Sequence, residues 1–273
     1  MNGQTPDPDT KGANKPQMLL ITLAVLAIAG VWLSLTPQGL LGKTDAIGYA
    51  VCHRIDLRSF HLGDRPLPLC ARCTGMYLGA LATFLFFAST AGRAGLYPGK
   101  GVIALLVAGA GLWAFDGLNS FATLVPGAAH LYEPNNTLRL ITGSMIGVGL
   151  MTMLYPPFQQ LAWRRWEERR VIPGWKQFAA LALTVAFADL LVLTEQPLLL
   201  YPLTILSGVG VLLLLTMAYT LIALQILKRE SAADTLAELK VPIVMGLGFA
   251  LLQIAGIDML RFAATGTWSG FHI

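Results

Sequence analysis

Long apolar runs separated by short polar stretches recur along the whole chain. Read as helices, they place seven spans at about 18–35, 74–90, 101–120, 137–155, 176–194, 198–227 and 241–263. Each approaches the roughly 20 apolar residues that a bilayer-crossing helix needs. The second span starts directly after Cys73. The fourth is expected to stop at the breaker Tyr155-Pro156-Pro157, because proline cannot donate to the helical ladder. The sixth is overlong, with Pro202 near its start, which predicts a tilt or bend. The pattern therefore predicts an all-α, polytopic helical membrane protein with about seven transmembrane helices.

Composition agrees. The 273 residues are 55% hydrophobic and 12% charged, roughly half the charge of a soluble domain. A nucleic-acid role for the net charge of +4 is excluded on this reading, and the basic residues serve instead as topology signals. Residues 1–17 are rich in Pro, Gly and Asn and read as a disordered tail. The run that follows is long for a signal-peptide core and reads as a retained helix, with a later-cleaved signal anchor as the competing reading. The chain then divides into a transmembrane module at 18–155, a connector at 156–175 and spans five to seven at 176–273. The connector carries Trp163, Trp166 and Trp175 among arginines, which predicts an amphipathic helix on the cytoplasmic surface.

Orientation follows from Lys and Arg in the loops. With the tail and the even-numbered loops on one side, that side collects twelve basic residues against five on the other. The side richer in Lys and Arg is cytoplasmic. The N-terminus is thus expected in the cytoplasm of a prokaryotic cell, and the 36–73 loop outside.

Charged groups inside spans are costly and each needs a reason. Asp116 and Asn119 close span three; Asn135, Asn136 and Arg139 open span four; Asp189 and Glu195 close span five; Asp258 and Arg261 close span seven. All these ends point to the side of the 36–73 loop. Asp258 and Arg261 are three residues apart and can simply pair. Asp116 and Arg139 are expected to meet, as an architectural pair or in a pocket. The N-termini of spans two and four, with Arg58, Arg72 and Arg139 nearby, favour an anion such as a phosphate or carboxylate. Contact with ordinary lipid headgroups is the alternative.

The same loop holds every cysteine of the chain, Cys52, Cys70 and Cys73, and two of its four histidines, His53 and His61. Cys70-Ala71-Arg72-Cys73 can put two thiolates on one ion, and Cys52, His53 and His61 offer further ligands. Zinc is the default metal for thiolate and imidazole, with iron or copper behind it. A Cys70–Cys73 disulfide, a redox-active thiol pair, or inert buried thiols are the competing readings.

The stretch Cys52–Gly79 resembles a family of predicted membrane proteins found in bacteria and archaea and known as domain of unknown function 2085. The resemblance rests on Cys52, His53, Arg58, Ser59, Phe60, Gly63, Pro68, Leu69, Cys70, Ala71, Arg72, Cys73, Gly75, Tyr77 and Gly79. A second block falls on Asp116, Gly117, Asn136, Leu138, Arg139, Thr142 and Gly143, so the likeness covers about residues 45–150. Where the family continues Asp-Gly with Thr-Gln, this chain has Asn119 and Ser120 in that region. The resemblance implies His53, rather than His61, as fourth ligand and groups Asp116, Asn136 and Arg139 with the cysteines. It implies no reaction.

Three functions follow. One is a metalloenzyme acting on an amphiphilic anionic substrate, with Asp116 as acid or base and Arg58, Arg72, Asn119, Asn136 and Arg139 binding it. Another is a transporter or carrier, or a factor that assembles a metal or cofactor, with a structural metal site. The last is a thiol-redox membrane protein. The bilayer itself is the expected partner.

Overall fold

A computed structural model describes residues 15–270; of the tail expected at residues 1–17, residues 1–14 lie outside the described residues, and residues 15–17 already belong to the first helix. Among the described residues there are eight α-helices, and seven are long and apolar enough to cross a membrane. The spanning helices are α1 (Lys15–Leu35), α3 (Ala71–Thr90), α4 (Lys100–Ala122), α5 (Asn136–Ala162), α6 (Trp175–Leu193), α7 (Pro197–Ile226) and α8 (Lys240–Thr265). The eighth, α2 (Gly39–Val51), is hidden in what the hydrophobic pattern marks only as a loop. At 1.5 Å per residue its 13 residues reach about 20 Å, too short to span. It is nonetheless buried at Gly42 and from Thr44 to Tyr49, wedged against α7 and α8.

Helix α3 is the hub, packing on α5 most extensively and also on α6 and α7. The α3–α5 crossing is built on glycine. A Cβ at Gly75 or Gly143 would fall on the carbonyl oxygens of Leu140 and Arg72, and one at Gly147 on that of Met76. Gly79 sits against the Ser144 backbone. Two small-xxx-small stripes, Gly75/Gly79 and Gly143/Gly147, thus face each other and let the backbones touch, the usual way to gain packing where lipid supplies no hydrophobic drive.

Two expectations are corrected. Pro156 and Pro157 do not end α5; they lie inside it, and the helix continues to Ala162. Their missing N–H groups vacate the carbonyls four residues back, and the Tyr97 hydroxyl lies 3.5 Å from one of these, that of Met153. The connector at 156–175 is not an amphipathic helix. After α5, Glu167–Arg170 forms strand β4, which pairs in parallel with β3 (Ala94–Leu96). Trp163 is buried under the Arg93 guanidinium, 3.8 Å from its ring centre, and Trp166 packs against Gly95. Two of the three tryptophans therefore face protein, and only Trp175 is well exposed.

At the opposite face, α2, a 3₁₀ turn at Asp56–Arg58 and a small hairpin lie over the ends of the bundle. The hairpin strands are β1 (His61–Leu62) and β2 (Arg65–Pro66). Gly63, at φ +63°, supplies the left-handed residue of the hairpin turn.

Candidate metal centre

The three cysteines arrive from two helix ends. Cys52 is the C-cap of α2, in extended conformation, and its N–H still closes the last turn on the Gly48 carbonyl. Arg54, at φ +55°, then turns the chain sharply. Cys70 is the N-cap of α3, and Cys73 lies in that helix's first turn. The approach through Pro66 and Pro68 leads directly into this cap. The result brings the Cys52, Cys70 and Cys73 sulfurs within 4.8 Å of one another. Cys52 and Cys70 are buried, Cys73 is partly exposed, and all three are free thiols.

The Cys52 sulfur accepts two backbone N–H groups, from Arg54 at 3.4 Å and from Cys70 at 3.3 Å. Hydrogen bonds from the Cys70 and Cys73 thiols, then these N–H groups, hold the Cys52 thiol well below its ordinary pKa, against the opposing effect of burial. A thiolate is the form that binds metals. Three sulfurs around a tetrahedral ion, at a metal–sulfur distance of about 2.3 Å, lie roughly 3.8 Å apart, which the observed separations accommodate.

Neither histidine joins the group. The His53 Nδ1 accepts from the Ile55 N–H at 3.0 Å, and the His61 Nε2 lies 3.1 Å from Asp56 Oδ1. Among the described residues, the only group of His, Cys, Asp or Glu close enough to share an ion is the cysteine triad.

The floor of the centre is fixed by Arg261. Its guanidinium donates to the carbonyls of Tyr49 (2.6 Å), Cys52 (2.7 Å) and His53 (3.2 Å), and lies 4.0 Å from the centre of the Tyr49 ring. It thereby neutralises carbonyls at the C-terminus of α2, where a cation is favoured. The three-residue spacing of Asp258 and Arg261 points to a pair between them and not to this role; nothing in the spacing marks α2, so its cap could not be read. Asp45, another residue the sequence left unmarked, pairs with Arg54 at 2.7 Å and with Arg65, tying α2 to the hairpin.

Beside the thiols lies a polar network joining the segment to α4 and α5. Asp116, almost fully buried, pairs with Arg72 rather than with Arg139. Its Oδ1 accepts from the Tyr132 hydroxyl at 2.7 Å and its Oδ2 faces Thr142 Oγ1 at 3.5 Å. Burial and the bond to Asp116 raise the Tyr132 phenol to about 12, so it stays a donor. Arg139 donates to Asn136 Oδ1 and Ser120 Oγ, each at 2.9 Å. Arg58 donates to the Ser120 carbonyl at 2.7 Å, and Asn136 to the Ser59 carbonyl at 3.1 Å. Asn119 instead pins the α4–α5 loop, through Leu131 N–H and the Tyr132 carbonyl. Arg72 supplies the carboxylate partner expected of Arg139 because it leaves α3 at its first turn, where the glycine crossing holds α3 close to α5.

The network holds three guanidinium groups against one carboxylate. Burial and the Arg72 charge lower the Arg58 pKa, while Cys70 and Asp116 raise it; thiols and arginines are thus within electrostatic reach. An open cavity of about 490 Å³ at this face is walled by Ser59, His61, Asn136 and Glu195 among others. Asp116 and Arg139 are not on its wall.

Residues 52–153 match the family described as Predicted membrane protein (DUF2085). An uncharacterized protein of Methanothermobacter thermautotrophicus is 34% identical over 103 residues, which is 38% of this chain and 83% of that protein. No solved structure matches the chain. The matched region carries the cysteine triad, the arginine–aspartate network and the α3–α5 crossing, while α6 to α8 lie beyond it. On these similarities the chain belongs to the DUF2085 family of predicted membrane proteins.

Proposed function

We propose that this integral membrane protein carries a metal centre in which Cys52, Cys70 and Cys73 hold one zinc-like ion and leave its fourth position open. The observation that supports it is the convergence of three sulfurs within 4.8 Å, with no fourth ligand-type side chain in the group among the described residues. Four protein ligands close a structural shell, whereas three leave a position for water or substrate. A bound ion would act there as a Lewis acid on an oxygen ligand.

The chain's own residues prepare that chemistry in two ways. Backbone N–H groups of Arg54 and Cys70 point at the Cys52 sulfur and favour its thiolate form. Arg58, Arg72 and Arg139 place net positive charge beside three thiolates, whose sum with a divalent ion is one negative charge. The same excess favours an anionic group at the fourth position. In a chain of seven spans, an anion at this face is most simply the head of an amphiphile, so the reading is a metalloenzyme acting on an anionic amphiphilic substrate. Asp116, with both oxygens engaged, serves better as the anchor of Arg72 than as an acid or base. The twelve-to-five distribution of basic residues supports an exoplasmic position for the centre and a cytoplasmic N-terminus.

Elemental analysis of the purified full chain tests the metal. About one zinc-like ion per chain is expected, lost in the Cys70→Ser/Cys73→Ser variant and in Cys52→Ser, and retained in His53→Ala. Unchanged metal in the double variant overturns the proposal. A Cys70–Cys73 disulfide found by mass in metal-free protein would favour the thiol-redox reading instead.

A further inference from the structure

The seam between α1 and α8 holds a cavity that the metal centre does not use. The two helices touch closely low in the seam, where a Cβ on Gly248 would sit 2.7 Å from Val25 Cγ2. Towards the face that carries the thiols, a cavity of about 520 Å³ opens between them, within the size range of small-molecule sites. Its walls are almost wholly apolar, among them Ile28 and Val31 on α1 and Leu252 and Met259 on α8, with Phe262 and Trp268 lining it as well.

One charged residue lines it. Asp258 is 2% exposed. Its Oδ2 accepts from Trp32 Nε1 at 3.0 Å, and among the described residues its buried Oδ1 has no hydrogen-bond partner. Such an acceptor costs about 1–3 kcal/mol when left unmade, and ionisable groups at membrane depth mark function by default. The bond to Trp32 alone does not account for a carboxylate here, because an amide would accept it equally well.

We infer that the α1–α8 seam binds one neutral, hydroxyl-headed lipid, its chain along the apolar walls and its hydroxyl donating to Asp258 Oδ1. The walls select a hydrocarbon chain. The charges select the head. Arg54 and Arg261 already act on the Asp258 carboxyl electrostatically, so an ammonium head would add a third cation. A phosphate head would face the carboxylate. A hydroxyl satisfies the free oxygen and adds no charge. The cavity opens at the outer surface of the bundle, where the lining residues Val31, Leu35, Leu252 and Met259 are exposed, so it is reached from the bilayer. This inference stands on α1 and α8 and does not depend on the metal reading.

The test uses the full chain in phosphatidylcholine nanodiscs and a diacylglycerol carrying a photoactivatable diazirine in its acyl chain. Crosslinks are expected in residues 27–36 and 252–262. Excess unlabelled diacylglycerol should suppress them, and the same excess of phosphatidylglycerol should not. Asp258→Leu removes the acceptor, and Ala255→Trp fills the cavity while sparing the Asp258–Trp32 bond. Asp258→Leu should lower labelling by about tenfold, the factor that one hydrogen bond to a charged group represents, and Ala255→Trp should lower it at least as far. Labelling of the seam that survives Ala255→Trp, or that phosphatidylglycerol suppresses equally, overturns the inference, as does absence of labelling there in the wild-type chain. The competition arm decides by itself should either variant fail to fold.

Discussion

Removing the Arg72 side chain alone leaves the Asp116 carboxylate buried next to Tyr132 and Thr142 without its ion-pair partner, with Arg58 and Arg139 acting on it only at longer range. An uncompensated buried charge is worse than the loss of the pair. Arg72→Met should therefore lower stability by about 3–5 kcal/mol, and Arg72→Met/Asp116→Leu should recover most of that loss. Unfolding of the purified variants in mixed micelles measures both. A double variant as unstable as the single one would show that the carboxylate is held chiefly by other groups. At this scale the sequence made much legible. Costly polar residues at helix ends announced a shared network, and Asp116, Asn136, Arg139, Arg58 and Arg72 do share it. The individual pairing was not legible, because two arginines compete for Asp116 and only the α3–α5 crossing decides between them. Nor was the fate of His53: adjacency to Cys52 in sequence says nothing about the turn at Arg54, which leaves the His53 Nδ1 on the Ile55 N–H.

The crossing of α3 and α5 sets the distance between the thiols and the arginine network. Its glycines face each other because lipid gives helices no hydrophobic reason to associate, so backbone contact must supply the packing. A Cβ at Gly143 would land on the Arg72 carbonyl, one residue from Cys73. Gly143→Leu should thus force the helices apart, lower stability by more than about 3 kcal/mol and reduce metal content. Gly149, on the same helix, has nothing within 4 Å of an added Cβ. Gly149→Ala should cost nothing and stabilise by up to about 1 kcal/mol through helix propensity. Thermal unfolding of the two variants side by side checks this. Equal effects would mean that the stripe is ordinary lipid-facing surface. The seven long helices were readable because periodicity is irrelevant to a span and bulk hydropathy suffices. Helix α2 was not, since a 13-residue segment with Lys43 and Asp45 carries no such signal. The connector was misread because its tryptophans meet Arg93 and Gly95 rather than lipid, and the α5 prolines because a helix surrounded by other elements tolerates the lost bonds.

Seven spans put the start of α1 and the end of α8 on opposite sides, and two unlike faces result. One carries the β3–β4 pair and the arginine-rich loops; the other carries α2, the hairpin, the thiols and the mouth of the α1–α8 seam. The proposed orientation, drawn from the basic-residue asymmetry, puts the first in the cytoplasm. A membrane-impermeant thiol reagent applied to intact cells after chelation should then label the partly exposed Cys73. Labelling only after the membrane is opened would reverse the orientation and bring the centre to the cytoplasmic side.

All of this turns on whether three cysteines, and no histidine, hold an ion. X-ray absorption at the metal edge of the purified full chain measures that directly. The account predicts three sulfur neighbours at about 2.3 Å and one lighter neighbour, the light shell unchanged in kind by His53→Ala. A shell of four protein ligands that collapses to three in His53→Ala would contradict the open centre, and a shell without sulfur would contradict the centre altogether.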